Sequence, residues 1–185
     1  MNKKTIPSTP HGSTVIIWGT ARRAVRIARI LLSKPLEPAI EQASELYPAL
    51  RESSCPEIRA VASDICRLLD GEPIDFSLHI ADLDSCGEFQ RRVLRAEHAI
   101  PRGRVSTYKL ITAHLGVPGG ARAVGNALAN NPFPLIVPCH RAIRSDRTLG
   151  GYQGGLEMKR DLLTKEGITF DNSGRVECPR FHYEE

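Results

Sequence analysis

One cysteine of the sequence stands among residues that could make it a nucleophile. The tetrad Pro138-Cys139-His140-Arg141 places a thiol next to an imidazole and a guanidinium, directly after the apolar run 135–137. The attacking species is the thiolate, and nearby His or Arg cations can lower the pKa of a cysteine from its usual value of about 8.5. The tetrad therefore predicts nucleophilic chemistry at Cys139, with a lowered thiol pKa.

Cys139 and His140 can act together only if the backbone turns, because neighbours on a regular strand point to opposite faces. We therefore expect a bend at Pro138. The imidazole also needs a partner that fixes its tautomer, and Glu166, at the end of the helical segment 162–166, is a candidate. A carboxylate in the last turn opposes the helix dipole by about 0.3–1 kcal/mol. A solvated surface glutamate is the alternative interpretation.

The remaining cysteines have no comparable surroundings. An odd set of five cysteines without a Cys-x-x-Cys pair argues against a disulfide framework and against a zinc site. His11 and His79 have no ligand-like spacing to any of them. We expect free thiols and no metal. The four other cysteines are Cys55, Cys66, Cys86 and Cys178.

Composition limits the class of protein. The chain has 185 residues, of which 41% are hydrophobic and 25% charged, as is typical of a soluble globular protein with one domain or two small ones. No apolar run reaches the roughly 18 residues that a membrane span needs. The segment Met1–Ser13 lacks the apolar core of a secretory signal. We expect a monomer in a reducing, cytoplasmic compartment.

The net charge of +4 is unevenly distributed. Residues 85–170 carry 13 Lys/Arg against 6 Asp/Glu, a net +7, whereas residues 1–84 carry −1 and the tail 171–185 carries −2. A polyanion such as DNA would bind the positive segment. On charge alone, a merely soluble basic surface explains the excess equally well.

The first segment, 1–84, reads as a small α+β unit. Two strands are expected to form a hairpin around Gly19-Thr20, and apolar residues at helical spacing then predict two helices. A third alternating run predicts one more strand. The predicted elements are strands over Thr14–Trp18 and Ala24–Leu32, helices over 40–50 and 56–71, and a strand over Ile74–Ile80.

The second segment, 85–170, reads as mostly helical. Ser85 and Glu88 have the spacing of a capping box at the start of one helix, and Ser106 or Thr107 can cap the next. A glycine-containing turn and the segment 120–129 complete a predicted helix-turn-helix.

The second helix of this pair presents an almost bare face, formed by Arg122, Gly125, Asn126 and Ala129. Glycine inside a helix costs about 1 kcal/mol relative to alanine, so the close approach of something large would explain it. The alternatives are a nucleic acid and a second helix that crosses at short distance.

Taken together, these motifs resemble the O6-alkylguanine-DNA alkyltransferases. The resemblance runs from Phe89 to Gly167, and the upstream pattern is similar to that family's N-terminal domain. It implies an α+β fold with a ribonuclease-H-like small antiparallel sheet with helices, then a mostly helical winged helix-turn-helix domain, then the acidic tail. The matching motifs are Ala121–Ala127, Asn131-Pro132, Pro138–Arg141, Gly151-Tyr152-x-Gly154-Gly155-Leu156 and Glu166-Gly167.

The resemblance implies repair of DNA by direct reversal of damage. Cys139 would take the alkyl group from O6 of guanine, and also from O4 of thymine, after the base is flipped out of the duplex. His140, through a water and oriented by Glu166, would take the thiol proton, and Asn131 would brace the turn. The product is a thioether, so each molecule acts once and no cofactor is needed.

The same resemblance implies that the bare helix enters the minor groove of double-stranded DNA, which is about 6 Å wide. Arg122 would fill the place of the flipped nucleotide, and Tyr108 would crowd its phosphate and meet guanine N3. Tyr152 and Gln153 would line the base pocket. Further expected DNA contacts are Gly125, Asn126 and Arg141.

Two residues depart from the family's pattern. Arg147 stands where a glycine is expected in the loop before Gly150, which predicts a reshaped turn and altered access to the pocket. Gln153 replaces a small residue, which affects the expected donor to guanine O6.

Two other functions fit the same residues. A helix-turn-helix module could bind damaged DNA without chemistry, although the presence of Cys139 argues against it. A cysteine hydrolase could use Cys139 and His140, but it would need an oxyanion hole and repeated turnover. Adduct formation and its stoichiometry separate the three functions.

Overall fold

The computed structural model describes residues 1–21 and 23–184. They form α-helices, short 3-10 turns, a three-stranded antiparallel sheet and two short strand pairs. The expected combination of helices with a small antiparallel sheet is therefore confirmed. No helix in these ranges is long and apolar enough to cross a membrane. Among the same residues, no three His, Cys, Asp or Glu side chains cluster as a metal site requires.

The chain divides into two compact units. The first contains Met1–Ser85 and Pro132–Ile136, and the second contains Cys86–Asn131 and the chain from Val137 onward. We expected a division into 1–84, 85–170 and a tail from 171 to 185. The structure differs in two places, at residues 132–136 and in the tail.

Residues 132–136 group with the first unit, and they are apolar and hydrogen-bonded to one of its strands. The Pro132 carbonyl accepts a hydrogen bond from the Ile30 amide at 2.8 Å, and Phe133 is fully buried. The expected segment 85–170 is therefore interrupted just before the reactive tetrad.

The first unit is organised around the antiparallel sheet β1 (Asn2–Thr9), β2 (Gly12–Ala21) and β3 (Ala24–Leu32), in that order. The predicted hairpin of β2 and β3 is confirmed. Its turn was placed too early, at Gly19-Thr20, because both residues continue the ladder to Ala21.

Strand β1 was missed by the sequence patterns for a physical reason. It is a polar edge strand that contains Pro7, and Ile6 is the one residue in it that is buried. Edge strands of this kind lack the alternation that marks a half-buried strand.

Helices α1 (Ala39–Leu46) and α2 (Pro56–Leu69) confirm the two predicted helices. The predicted strand Ile74–Ile80 is wrong. Polar and apolar residues alternate along it, but Phe76 is its one buried residue. The Ser77 side chain accepts a hydrogen bond from the His79 amide and begins a 3-10 turn instead of a strand.

The helices of the second unit are α3 (Glu88–His98), α4 (Tyr108–His114), α5 (Ala121–Ala129) and α6 (Gly155–Lys165). The predicted capping box is wrong, because Gly87 is the N-cap of α3 and makes no side-chain bond. The Ser85 hydroxyl donates to the Asp82 carbonyl instead. Thr107, one of the two predicted caps of α4, accepts from the Leu110 amide at 3.1 Å.

Short strands complete the second unit. Strand β4 (Ser106–Thr107) pairs in parallel with β5 (Ala142–Ile143), which follows the reactive tetrad. In the tail, β6 (Thr169–Phe170) pairs antiparallel with β7 (Val176–Glu177).

The acidic tail belongs to the second unit over its described residues. The Tyr183 hydroxyl donates to the Ala96 carbonyl at 2.8 Å, and the His182 amide donates to the Val105 carbonyl at 2.8 Å. The net charge of the tail does not reveal these two hydrogen bonds, so its packing could not be predicted from composition. Val176 joins a buried cluster with Val105, Ile143, Leu149, Leu163 and Ile168.

Candidate active site

The tetrad Pro138–Arg141 forms a tight turn. Residues Cys139–Arg141 are a 3-10 turn in which the Cys139 amide donates to the Val137 carbonyl and the Arg141 amide to the Pro138 carbonyl, each at 2.8 Å. The predicted bend at Pro138 is confirmed. It brings Cys139 to the wall of a cavity, while the side chains of His140 and Arg141 are buried.

The cavity has a volume of about 640 Å³, within the range of about 300–1,000 Å³ that small-molecule sites occupy. Most of the residues expected to bind substrate or DNA lie around it, together with Cys139. The lining residues are Tyr108, Arg122, Gly125, Asn126, Leu128, Ala129, Cys139, Arg144, Gly150, Gly151, Tyr152 and Gln153.

Behind the cavity, His140, Glu166 and Arg141 form a buried hydrogen-bonded triad. The His140 Nε2 lies 2.9 Å from Glu166 Oε1. The Arg141 guanidinium donates to both carboxylate oxygens, Nε to Oε2 at 2.9 Å and Nη2 to Oε1 at 2.8 Å. Burial alone would raise the pKa of Glu166, but the bonds and charges of His140 and Arg141 outweigh it and hold this pKa at about 2.

The ionised Glu166 fixes the tautomer of His140. A carboxylate accepts only, so Nε2 carries the hydrogen and Nδ1 has the free lone pair. Burial lowers the pKa of His140, although Glu166 opposes this effect, so the imidazole is neutral at neutral pH. Nδ1 is buried and has no hydrogen-bond partner among residues 1–21 and 23–184. The geometry therefore leaves one basic nitrogen available.

The thiol of Cys139 does not have the lowered pKa that we expected. Burial raises the pKa of Cys139 to about 11, and the hydrogen bond from Asn131 opposes this rise only in part. The expectation was wrong because the neighbouring His140 is neutral and the charge of Arg141 is balanced by Glu166. Cys139 rests as a neutral thiol and needs a base to become a nucleophile.

Asn131 holds the turn and touches the sulfur. Its Nδ2 donates to the Val137 carbonyl at 3.1 Å and approaches Cys139 Sγ at 3.3 Å. The side chain is buried, and a donor aimed at sulfur favours the thiolate over the thiol. The Gln153 side chain in turn donates to the Asn131 carbonyl at 2.7 Å.

Arg141 is not a DNA contact, contrary to expectation. It is only 5% exposed, and besides its bonds to Glu166 its Nη1 donates to the Ile100 carbonyl at 2.6 Å. A guanidinium committed to buried acceptors is not available to phosphates. Arg141 instead holds the Glu166 carboxylate through its Nε and Nη2.

Helix α5 presents the expected bare face to solvent. Arg122 and Asn126 are exposed, and a Cβ placed on Gly125 would meet nothing within 4 Å. The proposed alternative, a second helix crossing at short distance, is therefore wrong for the described residues. Gly125 leaves open space beside the cavity.

Tyr108 begins α4 and lines the cavity. Burial raises its pKa to about 12, so the hydroxyl stays neutral. A Cβ on Gly150 would lie 2.9 Å from Tyr108 Oη, and Gly150 has a φ of +68°. Both the backbone and the tyrosine therefore require glycine at this position.

Tyr152 lies on another wall, with its ring edge-on to His140 at 6.2 Å between centroids. Its hydroxyl is buried and has no hydrogen-bond partner within the described ranges. Burial raises the pKa of Tyr152 well above its ordinary value, so it can only act as a neutral donor or acceptor.

Arg147 adopts the backbone conformation that a glycine would favour. Its φ is +67°, at a cost of about 1–2 kcal/mol for a residue with a side chain. The tail supports this turn, since the Val176 amide donates to the Arg147 carbonyl at 2.9 Å and the guanidinium lies 5.5 Å from the centre of the Phe181 ring.

Two buried ionisable residues near the site were not identified from the sequence. Lys159 and Glu97 are both fully buried. Lys159 Nζ donates to the carbonyls of Ala142, Leu149 and Gly151 at 2.7, 2.6 and 3.3 Å. It thereby anchors the segment 149–151, of which Gly150 and Gly151 line the cavity. The sequence did contain one signal for them: each is a charged residue type at a helix position where the spacing of apolar residues predicts a buried side chain.

Comparison with known proteins gives one consistent result. Residues 88–168 match the family described as 6-O-methylguanine DNA methyltransferase, DNA binding domain. A methylated-DNA–protein-cysteine methyltransferase of Methanothermobacter thermautotrophicus is 46% identical over 65% of this chain and 68% of its own. One from Mycobacterium leprae is 40% identical over 69% and 78%.

The fold agrees with a solved structure. A crystal structure of Mycobacterium tuberculosis OGT in complex with DNA superposes with a TM-score of 0.72 and 30% identity, covering 90% of this chain and 92% of that one. The sequence likeness over most of each relative's length shows that the chain belongs to the methylated-DNA–protein-cysteine methyltransferase family.

Proposed function

We propose that Cys139 is the cysteine that accepts the alkyl group when this protein repairs O6-alkylguanine by direct reversal. The observation that carries the proposal is its position: of the five cysteines, Cys139 lines the cavity and lies next to an imidazole with a free, buried Nδ1. The four other thiols do not line this cavity.

The proposed reaction is an in-line displacement at the alkyl carbon. His140 Nδ1 takes the thiol proton, through a water, and the sulfur forms a bond to carbon while the bond from carbon to O6 breaks. The electron pair stays on the guanine, which then takes up the proton from the imidazolium. Glu166 stabilises that imidazolium through Nε2, and the 3.3 Å contact from Asn131 stabilises the developing thiolate.

The thioether has no route back to a thiol within this site, so each molecule acts once. We extend the proposal to O4-alkylthymine, which presents the same alkyl–oxygen bond. No cofactor takes part in the displacement.

We propose that α5 enters the minor groove of double-stranded DNA and that the target base is flipped into the cavity. A minor groove is about 6 Å wide, and the open space above Gly125 suits such an approach. A protein nucleophile cannot reach O6 inside a stacked duplex. Arg122 and Tyr108, which both line the cavity, would replace the base and direct its phosphate.

We assign the first unit to a ribonuclease-H-like domain and the second to a winged helix-turn-helix domain built on α4 and α5. A monomer suffices for a single-turnover reaction, and a reducing compartment such as the cytoplasm would keep the thiol available.

The test is incubation of the protein with duplex DNA that contains one O6-methylguanine, followed by intact mass of the protein. We expect a gain of one methyl group per molecule and no second turnover. Binding without an adduct would favour the non-catalytic DNA-binding module. Multiple turnovers on an ester or peptide would favour the cysteine hydrolase, and either result would overturn the proposal.

Replacing Arg122 with alanine should slow transfer from duplex DNA about tenfold or more, with little effect on the free base O6-methylguanine. Base extrusion costs a few kcal/mol, and about 1.4 kcal/mol corresponds to tenfold. Single-turnover rates on both substrates measure this. Arg95→Ala, which removes an exposed charge of α3 away from the cavity, is the matched control. Equal losses on both substrates would contradict the extrusion role.

A further inference from the structure

One buried ionisable group near the site has no part in the reaction described so far. Glu97 lies on the inner face of α3, which packs against the turn that carries Cys139. It is 0% exposed, and neither carboxyl oxygen has a hydrogen-bond partner of good geometry among the described residues. An unpartnered carboxylate in such a place is costly, whereas the neutral acid is much less so.

The cations near Glu97 are already committed to other acceptors. Lys159 donates to three carbonyls, an arrangement that matches the three hydrogens of an ammonium. Arg141 is held by Glu166 and the Ile100 carbonyl. Neither cation is free to form an ion pair with Glu97.

Several other ionisable groups face this carboxyl. Helix α5 contributes none, because Arg122 is its one ionisable residue and is exposed. The Ala142 amide acts weakly on the carboxyl. The facing ionisable groups are Tyr108 of α4, Cys139 and Arg141 of the turn, Lys159 of α6 and Tyr183 of the tail.

The sum of buried charges depends on the state of Glu97. With its carboxyl protonated and Lys159 charged, the buried ions are two cations and the Glu166 carboxylate, a net +1 that a thiolate would balance. Burial lowers the pKa of Lys159 to about 8, although the charges of Cys139 and Glu97 oppose this effect, so the full excess is present below that pH. With Glu97 ionised, that excess is cancelled and a thiolate would be an uncompensated buried anion. Burial raises the pKa of Glu97 to about 8, although Lys159 and Arg141 oppose this rise.

Building on the assignment of Cys139 as the acceptor, we propose that Glu97 is a positioning residue for alkyl transfer: its carboxyl must remain uncharged, so that the net positive charge of the buried site is available to the Cys139 thiolate. Ionised Glu97 disfavours the thiolate directly, because its charge acts on Cys139. Transfer should therefore weaken as Glu97 loses its proton, the reverse of the trend for an ordinary thiol.

The experiment compares the wild type with Glu97→Gln, which keeps the shape and removes the titration. Single-turnover transfer from methylated duplex DNA is measured from about pH 6.5 to about pH 9.5. We expect ionised Glu97 to raise the pKa of the thiol by about one unit, which corresponds to about tenfold in thiolate. The ratio of the variant's rate constant to that of the wild type should therefore rise by about tenfold around pH 8, where Glu97 titrates. Lys159 also titrates near pH 8, but it is present in both proteins, so the ratio reports the difference that Glu97 makes. A ratio that is constant with pH would overturn the proposal.

Two further variants keep the test independent of folding. Glu97→Leu removes the buried polar group altogether, which is often neutral or stabilising, and should show the same rise. Glu88→Gln, an exposed acid of the same helix, should follow the wild type at every pH. If methyl groups appear elsewhere than Cys139, the assignment of the acceptor fails; if they appear on Cys139 with a constant ratio, only the role of Glu97 fails.

Discussion

Replacing Cys139 with alanine is expected to abolish methyl transfer while DNA affinity stays within about twofold of the wild type. The side chain is 5% exposed and contributes a sulfur to the cavity wall, whereas the proposed DNA surface is formed by the exposed face of α5. A substitution away from the contacting residues changes the free energy by about 0.5 kcal/mol or less, and such a change in binding free energy corresponds to about twofold in affinity. Transfer is measured by protein mass and affinity by equilibrium titration with methylated duplex.

The matched control is Cys86→Ala, which removes another buried thiol of the second unit that does not line the cavity. This variant should retain transfer. Activity in Cys139→Ala, or loss of activity in Cys86→Ala with the fold intact, would move the acceptor to another residue.

Replacing Glu166 with glutamine is expected to lower the free energy of unfolding by about 3–5 kcal/mol, because the change leaves the buried Arg141 cation uncompensated. The same change should slow transfer about 100-fold or more, since it weakens the base His140. Chemical denaturation and single-turnover kinetics measure the two effects. Glu157→Gln, an exposed acid of the same helix, should leave both unchanged.

The contribution of Glu166 to stability also has a defined pH dependence. Its pKa is lowered from 4.5 to about 2 in the folded protein, so the folded state binds this proton less readily than the unfolded chain. The contribution is complete above pH 4.5 and is lost as the pH falls through about 2. The difference in unfolding free energy between wild type and Glu166→Gln should shrink over that interval. A constant difference would contradict the triad as described.

Local sequence patterns predicted those elements whose burial is regular. The hairpin of β2 and β3 and the helices α1 and α2 follow from apolar spacing, and the bend at Pro138 follows from what the two neighbouring side chains require. Periodicity could not predict the polar edge strand β1, and it wrongly predicted a strand at 74–80. It indicates burial of one face of an element, and neither segment has such a face.

The charge state of the site could not be predicted from residue types. Cys139 next to His140 and Arg141 suggested a lowered thiol pKa, but burial dominates and Glu166 balances the guanidinium. Glu97 and Lys159 fall on helical faces that pack inward, at positions where the pattern alone suggests an apolar side chain. Their significance depends on contacts between different elements, such as the hydrogen bonds from Lys159 of α6 to β5 and to the loop before α6.

The residue that carries the transferred methyl group identifies the acceptor directly. Digestion of the protein after reaction with methylated duplex, followed by peptide mass mapping, distinguishes the five cysteines. The methyl group is predicted on the peptide that contains Cys139, at one per molecule, with the four other thiols unmodified. A methyl group on any other cysteine, or none on Cys139 despite repair of the DNA, would contradict the assignment of Cys139 as the acceptor.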